Sequence, residues 1–270
     1  MNAQSILSET VVTSKPISAR LRPMPTWQAA GLFAISAFGP VLAFYLLRPF
    51  FLSLGYDSLT SLLAAMIVPL SLLFTAALVG YHRVDGYPLT REAFSQRMRF
   101  PRLTFRQVLW GLLLFILGMT GYFLFSQVGL ALIDAGIIPI PANLPILVAP
   151  HVSPTLANLT QEAGGVIKGR WDIVVLYIIM LFFNIVGEEL WWRGYIFPRQ
   201  ELSTGRFTWL IHGLLWALFH VYKYWDIIGL LPVCFLISFA AQRLKTNWPG
   251  LIAHALINGL AILYIISAVL

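Results

Sequence analysis

Seven apolar runs divide this chain, and they leave it few ways to fold. They cover Trp27–Leu47, Leu59–Tyr81, Gln107–Ile133, Ile173 to about Phe197, Phe207–Tyr222, Ile227–Ala241 and Gly250–Leu270. A helix needs about 20 predominantly apolar residues to cross a hydrocarbon core. The runs therefore predict an all-α, polytopic transmembrane helix bundle of about seven spans (six to eight). The fifth and sixth runs are short for that purpose, and are expected to tilt, extend into their flanks or combine as a re-entrant pair. With 59% hydrophobic and only 11% charged residues, the composition lies far outside soluble globular usage. The first run is too long and too far from the start to be a secretory signal.

Between the runs the basic residues alternate in density, which is a topology signal. With the N-terminus inside, 14 of the 18 Lys and Arg residues fall on inner segments and four (Arg48, Lys168, Arg170, Lys223) on outer ones. The expected orientation is N-in and C-out. Residues 1–26 then form a polar cytoplasmic tail, and 27–133 three spans with a basic inner loop at 82–106. A long outer loop at 134–171 carries five prolines and reads as an irregular lid; 172–270 hold the remaining spans. The inner loop reads mainly as a positive-inside stop signal, with contact to anionic lipid as the second reading. The net charge of +7 is spread between spans and not gathered on one module, so membrane lipids and not nucleic acid are the expected partners. The single cysteine, Cys234, sits in an apolar run and reads as a buried structural thiol.

The first three runs contain no Asp, Glu, Lys, Arg or His between their ends, and the fourth, fifth and seventh do. Within Asn184–Phe197, the fourth run carries Glu188, Glu189 and Arg193, and a single such group costs about 2.5–3.5 kcal/mol at a membrane helix centre. Glu189 and Arg193 are spaced i, i+4 with the acid first, the better order for an ion pair. Glu188 lies about 100° round the helix and faces other partners. His212 and His220 fall on the fifth run, and His254 and Asn258 share a face of the seventh. A desolvated Glu can act as general base toward water, with a His fixing that water. A second His and an Asn can donate to the oxyanion of a tetrahedral intermediate. This set suffices for peptide hydrolysis. The competing structural reading of the two acids is an intramembrane ion-pair network with Arg193; His212 reads as structural.

Three motifs in order resemble a known family. They are Glu188-Glu189-Leu190-Trp191-Trp192-Arg193, Trp216-Ala217-Leu218-Phe219-His220 and His254-Ala255-Leu256-Ile257-Asn258. Together, over about residues 175–262, they resemble the CPBP intramembrane proteases, which include the type II CAAX prenyl endopeptidases and Abi-type bacterial proteins. The resemblance implies a membrane endopeptidase in which Glu188 and His220 activate water and His254 and Asn258 stabilise the oxyanion. Glu189, Arg193 and Trp216 support the site. It also implies a multi-pass protein of a bacterial inner or plasma membrane with a cytoplasmic N-terminus. Trp216 stands where that family usually has Phe, which implies altered packing. Glu188, His220 and His254 could hold a zinc ion with an open position, and a metal-free Glu mechanism is equally open. Substrates would be membrane-associated or lipidated peptides or proteins. The rival readings are a catalytically silent scaffold or bacteriocin-immunity-type protein that binds a peptide or partner, and a proton-coupled transporter. The fourth helix is expected to continue past Trp192 to about Pro198, so that Glu188 and His220 reach the same depth.

Overall fold

The computed structural model describes residues 21–270, and the expected polar tail lies outside the described residues as far as Arg20. The described residues form helices and turns and contain no strand. Helix α1 (Thr26–Ser53) and α2 (Ser58–Val84) are followed by a short α3 (Arg91–Arg97) and by α4 (Phe105–Asp134). A short α5 (Leu156–Glu162) lies within the proline-rich segment. Next come α6 (residues 171–204), α7 (Thr208–Phe219), α8 (Ile227–Leu244) and α9 (Trp248–Val269), the last interrupted at Leu260. Five stretches are long and apolar enough to span a membrane. One of them, Trp171–Leu244, contains α6, α7 and α8, so each of the seven apolar runs is helical, four in separate span-length stretches and three within this one.

Local chemistry sets the helix ends. Asp57 caps α2 by accepting from the Thr60 N–H at 2.8 Å, and Thr104 and Gln107 form a reciprocal capping box at the start of α4. Gly205, at φ +53°, permits the reversal between α6 and α7. A 3₁₀ stretch, His220–Asp226, with a non-helical Lys223 (φ −127°, ψ 55°) joins α7 to α8.

In the bundle α8 packs between α4 and α7, α9 lies along α4, and α2 lies along α6. A small residue admits the approach of α6 to α2. A Cβ on Gly187 would sit 3.0 Å from the Leu70 carbonyl oxygen, so α6 can lie this near α2 only with glycine there. The outer face of α4 exposes Leu113, Ile116 and Phe123, the surface that lipid covers. This is an integral membrane bundle.

Helix α6 does continue past Trp192, through Pro198 to Thr204, but its middle is wound as π-helix at Phe183–Gly187 and again at Glu189–Ile196. Pro198 has no N–H, so the carbonyl of Gly194, four residues earlier, loses its α-helical donor. Arg97 from α3 fills the gap, donating from Nη1 to Gly194 O at 2.7 Å and from Nη2 to Tyr195 O at 3.3 Å. Its Nε reaches Asp85 at 2.9 Å, and Asp85 also holds Arg199. Burial pulls the Arg97 pKa down to about 10, which leaves it charged at neutral pH. The basic inner loop is thus built into the bundle. Ahead of α1, Met24 is buried and its N–H donates to Arg199 O at 3.0 Å.

Candidate active site

Glu188 and Glu189 are 1% and 0% exposed and have different partners, as their angular separation predicts. Asn184 and Trp192, one turn before and one turn after, flank Glu188 on its own helix. Asn184 Nδ2 donates to Oε1 at 2.7 Å, and Trp192 Nε1 donates to Oε2 at 3.3 Å. Trp216, from α7, donates to the same Oε2 at 2.8 Å. Three neutral N–H groups therefore solvate this carboxylate in place of water, and hydrogen bonds to a charged group contribute about 1.5–3 kcal/mol each. Glu189 Oε1 instead meets Arg193 Nη1 at 3.2 Å and accepts from His254 Nδ1 at 3.1 Å. The i, i+4 ion pair survives in the π-helical winding.

Trp216 is the hub. The Arg193 guanidinium lies 3.4 Å from its ring centroid, and the rings of His220 and His254 approach its edges with centroids 6.0 and 5.7 Å away. His220 Nδ1 donates to the Trp216 backbone carbonyl at 2.9 Å, which leaves Nε2 of the neutral ring as an acceptor. Trp216 thus links Glu188 to His220. The expected change in packing at this position comes with a hydrogen bond that Phe could not make.

Asn258 Nδ2 donates to Asn184 Oδ1 at 2.6 Å, and Tyr177 Oη donates to the Asn258 backbone carbonyl at 2.6 Å. His212 is on another layer, fully buried, with Nδ1 2.5 Å from Gln200 Oε1 and Phe33 and Phe197 against its ring.

These side chains border a cavity of about 480 Å³. Asn184, Trp216, His220, His254 and Asn258 form its polar wall, and leucines of α2 (Leu59, Leu63, Leu70) much of its apolar wall. Leu147, Val148 and Leu159 of the proline-rich segment also border it. Glu188 itself is not on the wall; its carboxylate lies directly behind Asn184 and Trp216. The structure thus gathers Glu188, Glu189, Arg193, Trp216, His220, His254 and Asn258 into one connected cluster.

Metal fit can be tested from the donors. Among the described residues no group of three or more His, Cys, Asp or Glu side chains is close enough to hold an ion. The Glu188 carboxylate is set behind Asn184 and Trp216, off the wall on which His220 and His254 lie. The set Glu188, His220 and His254 does not fit a metal in this arrangement.

Two contributors escape motif reading. Asn184 is signalled only by its i−4 spacing from Glu188, and Trp192 by its i+4 spacing. Residues 170–260, about a third of the chain, match the family model for type II CAAX prenyl endopeptidase Rce1-like proteins. Comparison with curated proteins finds no match, and comparison with solved structures finds none either.

Proposed function

We propose that this chain, whose residues 170–260 belong to the CAAX protease family, is an intramembrane endopeptidase that cleaves membrane-associated or lipidated peptides with a water activated by Glu188. The observation that carries this reading is the shared wall of one chamber. His220, His254 and Asn258 border it, with the Glu188 carboxylate one side chain behind. Oε1 of Glu188 accepts a single bond, so a lone pair remains there for a water proton. His220 Nε2 positions that water. As its oxygen attacks the peptide carbonyl carbon, Glu188 takes the proton, and the oxyanion is met by the Asn258 amide, with His254, held by Glu189, beside it. Collapse breaks the C–N bond, and Glu188 returns the proton to the leaving amine. The apolar wall suits the lipid chain or hydrophobic side chains of the substrate. The N-terminus is placed inside, on the Lys and Arg partition.

One observation favours a second reading. Glu188 is sealed from the chamber, as it would be in a catalytically silent scaffold that binds a peptide. Purified protein incubated with lipidated and unlipidated peptides, beside Glu188→Ala and with a chelator in parallel, separates the two. Hydrolysis is expected in the wild type, lost in E188A and unaffected by the chelator. Peptide binding without hydrolysis, equal in both proteins, would establish the scaffold.

A further inference from the structure

Glu188, Asn184 and Asn258 stand in a row joined by bonds of 2.7 and 2.6 Å, and chemistry fixes the direction of that row. The indole N–H groups of Trp192 and Trp216 are donors only, and both sit on Oε2 of Glu188. An ionised carboxylate is acceptor-only. Asn184 must therefore offer Nδ2 to Oε1, which turns its Oδ1 toward Asn258. Asn258 must then answer with Nδ2. The backbone of Asn258 is held by the Tyr177 hydroxyl, and its amide by the 2.6 Å bond to Asn184. Asn184 and Asn258 both border the chamber.

We propose that Asn184 is a positioning residue that transmits the charge of Glu188 to Asn258, holding the donor end of the Asn258 amide at the chamber wall. One Nδ2 hydrogen is used by Asn184 and the other is left for an oxyanion. The functional meaning rests on the hydrolysis proposed above; the relay itself does not.

Glu188→Gln is the diagnostic substitution. The two indoles still require an acceptor, so the glutamine oxygen turns to them and its NH₂ faces Asn184. The row then reverses: Asn184 presents its oxygen to residue 188 and its NH₂ to Asn258, which must flip.

The chain contains six asparagines, so side-chain amide resonances of full-length protein labelled with ¹⁵N-asparagine are few and assignable by substitution. E188Q is expected to move the Asn258 side-chain signals as well as those of Asn184. In N184L the same E188Q change should leave Asn258 unmoved. N184A, which has neither a donor for Glu188 nor an acceptor for Asn258, should uncouple the pair likewise and serves if N184L does not fold. Asn258 signals indifferent to E188Q, or moved equally without Asn184, would overturn the relay. In kinetics, N184L should lower kcat about 10–100-fold with KM nearly unchanged, a loss somewhat below that of a direct oxyanion donor. N184L/N258L should be no slower than N258L; multiplied losses would overturn the relay. A wild type that cleaves nothing would remove the proposed hydrolysis while the resonances still decide the relay.

Discussion

Trp216→Phe isolates the one hydrogen bond by which α7 holds Glu188. Phe keeps an aromatic face under Arg193 but has no N–H, so the 2.8 Å bond to Oε2 is lost while the ring contact largely remains. A bond to a buried charge contributes about 1.5–3 kcal/mol, against about 0.5–1.5 for a neutral one. The substitution should therefore destabilise the bundle by about 2–3 kcal/mol, and at 2–4 °C per kcal/mol for a chain of this size the melting midpoint should fall on the order of 5–10 °C. In an E188Q background the same bond is neutral, so W216F should cost about 1 kcal/mol less there. Thermal melts of the four detergent-solubilised proteins give this cycle directly. A W216F midpoint within a degree of wild type would refute the assignment of Trp216 as a holder of Glu188. So would an equal loss in both backgrounds, since only contact with the charge makes the two differ.

Arg97→Ala leaves the Gly194 and Tyr195 carbonyls without their side-chain donor and removes one of the cations on Asp85. Its cost should be about 3–5 kcal/mol, measured by melting, and R97K should recover little because an ammonium cannot reproduce the guanidinium fork. Gly187→Ala places a Cβ 3.0 Å from Leu70 O and should cost about 1–3 kcal/mol, with peptide cleavage falling as α6 shifts from α2. For Asp57, burial pushes the carboxyl pKa up, but bonds from Thr60 and Arg170 outweigh it and leave the pKa below its ordinary value. Its stabilising effect is thus fully present above the unfolded pKa of about 3.9 and is lost as pH falls through the folded one. D57N should melt below wild type at neutral pH by no more than about 1 kcal/mol, a gap that closes below about pH 4.

The runs of apolar residues made the helices legible, because a span must be long and uncharged whatever it packs against. Spacing made the division between Glu188 and Glu189 legible too, since neighbours on a helix cannot share a partner easily. It could not reveal the π-helical winding of α6, which coincides with close contact to α2 at Gly187, a missing donor at Pro198 and a guanidinium from a distant loop. Within Trp171–Leu244 the chain reverses at Gly205 and leaves helical geometry at Lys223, the two places where the apolar runs divide it. Trp216 looked like packing because only the tertiary structure brings its N–H to a carboxylate 28 residues away.

Two acids against one arginine posed a deficit of charge inside the bundle, and the structure meets it without a second cation. Glu189 takes the arginine, and Glu188 is solvated by three neutral donors aimed at it from two helices. Such donors keep an anion buried without fixing it in an ion pair, so the carboxylate retains an acceptor position for chemistry. Arg193 is then committed to Glu189 and to the Trp216 ring, and through that ring it steadies the donor on which Glu188 depends. Arg97 does the corresponding task one turn and more along α6, pairing the Gly194 carbonyl that Pro198 leaves without a donor and the Tyr195 carbonyl beside it. A residue that looks like a topology signal in the sequence thus supports the helix on which the candidate base is mounted.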